Sequence, residues 1–174
     1  MATYNLDNAH SEIEFKVRHM MISTVKGQFQ NFDINVESES EDLSSAKISV
    51  SIDVNSISTN NTQRDDHLKS ADFFNAAEND KITFIATSIT KNSSDEFTLV
   101  GDLTIKGITK SETFKAELGG IAKDPWGNAK VGYTVTGKIN RTDYDLTWNT
   151  ALETGGVMVS DEVKFSADIQ LVKA

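Results

Sequence analysis

The chain has 174 residues, 26 of them acidic and 17 basic, for a formal net charge of −9. That length suits one domain with a sizeable core, and 38% hydrophobic against 25% charged residues excludes wholesale disorder. The acidic balance argues against nucleic acid, whose phosphates need clustered Lys and Arg, and against electrostatic docking on anionic lipid.

The absence of cysteine removes disulfides, thiolate metal sites and a Cys nucleophile. The opening MATYNLDNAHSEIEF has neither a basic n-region nor an apolar h-region. Apolar runs elsewhere fall far short of the ~20 residues of a membrane span. The expectation is a cytoplasmic chain with no stable membrane insertion.

Strand patterns fill most of the sequence. Over 11–21, Ile13, Phe15, Val17, His19 and Met21 alternate with Glu12, Glu14, Lys16 and Arg18, the period of a half-buried strand. Val25, Gly27 and Phe29 continue on odd positions, and Phe32, Ile34 and Val36 on even ones. A β-bulge near Gln30 and Asn31 would switch the phase. After the acidic stretch 37–45 come Ile48, Val50, Ile52 and Val54. Residues 81–90 place apolar side chains on both faces, Ile82 and Phe84 against Ile85 and Ile89.

The loop KNSSDE leads to Phe97, Leu99, Gly101, Leu103 and Ile105 on one face, and then to Phe114, Ala116 and Leu118. The turn AKDPWGN, with the one proline, Pro125, joins this segment to Val131, Tyr133, Val135, Gly137 and Ile139 as a hairpin. Val163, Phe165, Ala167, Ile169 and Leu171 form the last face. The pattern gives about eight strands. One segment departs from it: a helix around 62–70, capped by Asn60, Asn61 or Thr62, with Leu68 as its buried contact and Phe73 and Phe74 beyond its end.

No repeat or compositional break divides the chain, so 1–174 reads as a single domain. Long strands in meander order must hide their edges. A closed antiparallel up-and-down barrel does so, and at eight strands it can hold one small ligand. A two-sheet sandwich is the rival, with shorter strands.

Catalytic motifs are absent. His10, His19 and His67 have no metal-ligand spacing, and no cofactor is implied. Arg64, Asp65, Asp66 and His67 form one polar cluster, and Arg141 and Asp143 another. A general acid–base pair of Asp66 and His67 is conceivable, but helix capping and a salt-bridged loop explain the cluster more simply. His19 is in phase with Phe15 and Val17, as a buried hydrogen-bonded histidine or a contact to a ligand head group. Small residues (Gly27, Gly101, Ala116, Gly137, Ala167) share faces with the aromatics. They fit equally an ordinary core or a cavity with room for an apolar ligand.

Four stretches, in this order and spacing, resemble the YceI-like family, also described as polyisoprenoid-binding and lipocalin-like. They are YNLDNAHSEIEFKVRHM, ISTNNTQRDDHLKSADFF, VGDLTIKGITKSETF, and INRTDYDL followed by VSDEVKFSADIQLV. Within them His10, Phe15, His19, Gly27, Phe29, Arg64, His67, Leu68, Phe73, Gly101, Leu103, Gly107, Thr109, Asn140, Arg141 and Asp143 match the family pattern. Two positions depart from it: Asp145 follows Tyr144 where the family often has Gly, and Lys81 stands where it often has Pro.

The resemblance implies an all-β fold, an extended eight-stranded lipocalin-like barrel with the short helix inserted. Its apolar pore would hold a long-chain amphiphile such as a polyisoprenoid or an isoprenoid-tailed quinone. It also implies a homodimer and no catalytic activity. The ligand-facing side chains are then Phe15, Val17, His19, Phe29, Phe32, Ile52, Leu68, Phe73, Phe84, Leu103, Tyr133, Val135, Phe165 and Ile169. The alternatives are a binder of a fatty acid or fatty amide, a small lipid-acting enzyme using His67 and Asp66, and a barrel with a filled core.

Overall fold

The computed structural model describes residues 2–19, 22–39, 43–149 and 159–174; Met21, expected on the inner face of its strand, lies outside these. Among the described residues, eleven antiparallel segments form one sheet. They are β1 (Ala2–Leu6), β2 (Glu12–His19), β3 (Ser23–Phe29), β4 (Phe32–Ser38), β5 (Lys47–Asp53), β6 (Ile57–Ser58), β7 (Lys81–Lys91), β8 (Glu96–Ile105), β9 (Ile108–Lys123), β10 (Ala129–Asn140) and β11 (Val159–Lys173). Helix α1 spans Thr62–Lys69.

Three pairs of segments are single strands, each interrupted once: β1 with β2, β3 with β4, and β5 with β6. β1 pairs with β4 while β2 pairs with β3. β4 pairs with β5 while β3 pairs with β6. From there β5 through β7, β8, β9 and β10 to β11 is a plain meander. β11 then returns to both β1 and β2. The result is a closed eight-stranded antiparallel barrel with one short helix.

The phase switch near Gln30 is a double interruption, where the sequence suggests a simple bulge. Strand β3–β4 breaks at Gln30 and Asn31, and the neighbouring strand breaks beside it in a 3-10 turn, Val54–Ser56. Breaking both strands together keeps the amides paired. The Gln30 N–H donates to the Ser56 carbonyl (3.1 Å) and the Asp53 N–H to the Asn31 carbonyl (2.9 Å). The Asn31 N–H donates to Ser56 Oγ (3.0 Å).

The first strand is broken by a 3-10 turn at Asn8–His10. There the Asp7 carboxylate meets His10 Nδ1 (3.0 Å) and Lys130 Nζ (3.3 Å). In β7 the expectation of two apolar faces is corrected. A register shift between Ala86 and Ser88 moves Ile89 onto the side of Ile82 and Phe84, and leaves Ile85 exposed.

The hairpins follow local turn chemistry. β8 turns into β9 through Lys106 and Gly107 with φ of 53° and 77°, the two positive values of a two-residue hairpin loop. In the expected 122–128 hairpin, the Asp124 carboxylate accepts from the N–H groups of Trp126 and Asn128. That end of the barrel is filled: Tyr4, Phe97, Ala116 and Val131 are buried, with Phe97 and Ala116 wholly inaccessible. At the opposite end, reached by His19, Ile139 and Val159, the chain adds α1 and the segment 145–149.

Candidate ligand-binding cavity

The barrel wall is built from glycine–phenyl pairs. Phe15 lies opposite Gly27, and Phe165 opposite Gly137. A Cβ added at Gly27 would stand 2.3 Å from the Phe15 ring, and one at Gly137 would stand 2.4 Å from Phe114 and 2.7 Å from Phe165. One at Gly101 would meet the Phe84 ring at 2.6 Å. The glycines therefore do not supply ligand space directly, as the sequence alone allows; rings lie down into their places against the sheet. The rings also touch one another, Phe15 with Phe29 at 5.5 Å and Phe114 with Phe165 edge-to-face at 4.7 Å between centroids.

What the flattened rings leave is a cavity of about 590 Å³, inside the range of roughly 300–1,000 Å³ common for small-molecule sites. Thirteen of the fourteen side chains expected to face a ligand line it: Phe15, Val17, His19, Phe29, Ile52, Leu68, Phe73, Phe84, Leu103, Tyr133, Val135, Phe165 and Ile169. Phe32 does not. It is buried in the core where β4 begins, beside the double interruption. Ile34, Val50, Ile82, Leu99 and Val163 also line it, beyond the fourteen expected. All sit on the inner phase of strands already recognised, so alternation alone would have found them.

The polar lining gathers at the α1 end: His19, Thr59, Asn61, Gln63, Arg64, His67 and Arg141. Asn61 caps α1, its side chain accepting from the Arg64 N–H at 3.0 Å. Arg64 donates through Nε to Thr59 Oγ1 (2.7 Å) and through a terminal nitrogen to the Thr59 carbonyl (2.7 Å). Asp65 accepts from the Thr59 N–H and hydroxyl. The helix is thus tied to the strand end before it, which supports the capping account of this cluster.

His67 bonds Asp72 through Nε2 at 2.9 Å, and Asp66 is exposed. The pair suggested by their adjacency does not form, because neighbouring helical residues face different ways. The His67 ring packs edge-to-face against Trp148 (4.8 Å) and Phe73 (5.1 Å).

Arg141 is buried and works as a clamp. It donates to the carbonyls of Leu146 and Trp148 on the covering segment, and of Val159 and Ser160 at the start of β11. Burial lowers its pKa, and Asp161 nearby partly offsets this. Tyr144, wholly buried, donates to Glu112 at 2.7 Å. Its pKa is raised, first by burial and then by that carboxylate. Asp145, where the family often has Gly, has φ of +60°. That is the left-handed conformation glycine enters freely and Asp tolerates, and Lys106 Nζ secures it by bonding the Asp145 carbonyl at 3.0 Å.

Chemically, this arrangement can enclose an apolar body and hydrogen-bond one polar end. Among the described residues no group of His, Asp and Glu could hold a metal. Among the described residues, no helix is long and apolar enough to cross a membrane.

A family model for the YceI-like domain matches residues 4–171. The chain belongs to the YceI-like family. A UPF0312 protein of Staphylococcus aureus strain N315 is 48% identical over 171 residues, 98% of this chain and 97% of that protein. Among solved structures, a Campylobacter jejuni YceI protein superposes with a TM-score of 0.80 at 32% identity, covering 98% of each chain. BcnA of Burkholderia cenocepacia (TM-score 0.81, 21% identity, 95% and 99% covered) shares the fold. So does a polyisoprenoid binding domain from Saccharophagus degradans (TM-score 0.73, 13% identity, 98% of each covered).

Proposed function

We propose that this YceI-like barrel is a non-catalytic binder and carrier of a long-chain apolar amphiphile, a polyisoprenoid or an isoprenoid-tailed quinone. The observation that carries the reading is the cavity itself, apolar along its length with its polar side chains at one end. Burying each methylene is worth about 0.8 kcal/mol, so a five-carbon unit contributes roughly 3–4 kcal/mol before ordering costs. A tail lying along Phe15, Phe84 and Phe165 needs no exact chemistry. Its head would reach His19, Arg64 and His67. The non-catalytic part is supported by the Asp66–His67 pair not forming: Asp66 is exposed, while His67 bonds Asp72. A homodimer and a cytoplasmic location belong to the same proposal, checked by sedimentation and by cell fractionation.

The test is to extract the purified protein with organic solvent and identify the extract by mass spectrometry. An isoprenoid chain near one per barrel is expected, and His67→Asn should retain it. A fatty acid or amide would transfer the site to that ligand class. An empty extract, with no uptake of added isoprenoid, would remove the carrier reading. Turnover of a lipid by wild type but not by His67→Asn would overturn the non-catalytic part.

A further inference from the structure

We propose that the outer face of β10, β11, β2 and β3 is a docking surface for anionic lipid headgroups. Register brings four lysines into one row across these strands. Lys138 stands opposite Lys164, Lys164 opposite Lys16, and Lys16 opposite Lys26. All four are exposed. With strands about 4.8 Å apart, the row runs roughly 14 Å. Lys138 reaches Glu162 at 4.0 Å, and Glu14 flanks Lys16 on the same face. Lys16, Lys26 and Lys164 form no ion pair among the described residues.

Like charges directly opposite each other weaken a sheet. In a chain with nine surplus negative charges, such a row stands at a cost to the fold and is stabilised by an anionic partner. Its position names that partner. β2 and β3 lead from Lys16 and Lys26 to the α1 end of the barrel, where the cavity's polar lining lies. Ile22, beside their turn, is 80% exposed there. A basic flank leading to an exposed apolar side chain is the pattern of a protein resting on a lipid surface. The row carries no aromatic side chain on which nucleic-acid bases could stack. The acidic balance of the whole chain, which by itself argues against docking on anionic lipid, is overridden locally by this row, since the more distant charges are screened beyond about 10 Å at moderate salt.

Docking through this face is independent of what fills the cavity, so delipidated protein is used. Co-sedimentation is measured with vesicles of phosphatidylcholine alone and with vesicles carrying about one third phosphatidylglycerol. Wild type should bind the second kind only, and raised salt should release it. Lys164→Glu should weaken binding at least about fivefold, the worth of one surface charge near such a membrane. It should also raise Tm, because a carboxylate then sits between Lys138 and Lys16. Lower affinity with higher stability excludes misfolding as the cause. Lys47→Glu, an equal charge change on β5, should leave binding unchanged. Equal binding to both vesicle types, binding to neither, or unchanged binding by Lys164→Glu would each overturn the proposal. So would self-association without vesicles that Lys164→Glu abolishes, which would assign the row to a second copy. A DNA duplex retained by the row would overturn it equally.

Discussion

Asp7 shows how one side chain can hold a strand break. Its carboxylate sits among His10, Lys130 and Gln170 where the first strand is interrupted. Its pKa is lowered, chiefly by the hydrogen bond from His10, against a smaller opposing effect of burial. A depressed carboxylate stabilises the fold above its unfolded pKa of about 3.9, and loses that contribution as pH falls through the folded value. Asp7→Asn is therefore expected to be less stable than wild type at neutral pH. The gap should close in acid, below the ordinary carboxylate range. Urea titrations of both proteins across that range check the sign, and a gap that widens in acid would contradict it.

At the scale of elements, the wall is set by where rings can lie. Gly137 is seated between Phe114 and Phe165. Gly137→Ala would force one of those rings off the sheet and into the lumen. Overpacking of this kind typically costs about 1–3 kcal/mol. Weaker binding of an isoprenoid chain should accompany that loss, because the displaced ring occupies its space. Urea unfolding and ligand titration measure the two effects separately. Unchanged binding would mean that the ring moves elsewhere. Gly27 and Gly137 were legible in the sequence as inner small residues. That their partners were Phe15 and Phe165 was not, because cross-strand neighbours follow from register rather than from spacing along the chain.

For the whole molecule, the barrel has a filled end and a hollow one. Phe97 is wholly buried at the filled end, and Phe97→Ala should cost about 3–5 kcal/mol, the usual range for a packed ring. Phe15 and Phe165 are half-buried and border the cavity. They have fewer partners to lose, so their alanine variants should cost under about 2 kcal/mol in delipidated protein while weakening ligand binding. The protein must be free of ligand, since occupancy raises apparent stability by mass action. Equal losses at all three positions would mean that the interior behaves as one packed core.

Strand identity, the inward phase of most strands, the 122–128 hairpin and the short helix were legible in the residues themselves, because alternation and turn chemistry act over a few neighbours; the register shift in β7 was not. The first and last strands close the ring, and closure decides which inner side chains pack solidly and which face a lumen. Phe97 and Phe15 carry the same sequence signal and meet opposite fates for this reason. His67 was adjacent to Asp66 in the chain, yet its ring reaches Asp72, because the helix turns successive residues apart and the chain folds back after it. The lysine row is tertiary in the same sense. Its members are scattered from 16 to 164 and come into line only because antiparallel register across four strands puts them there.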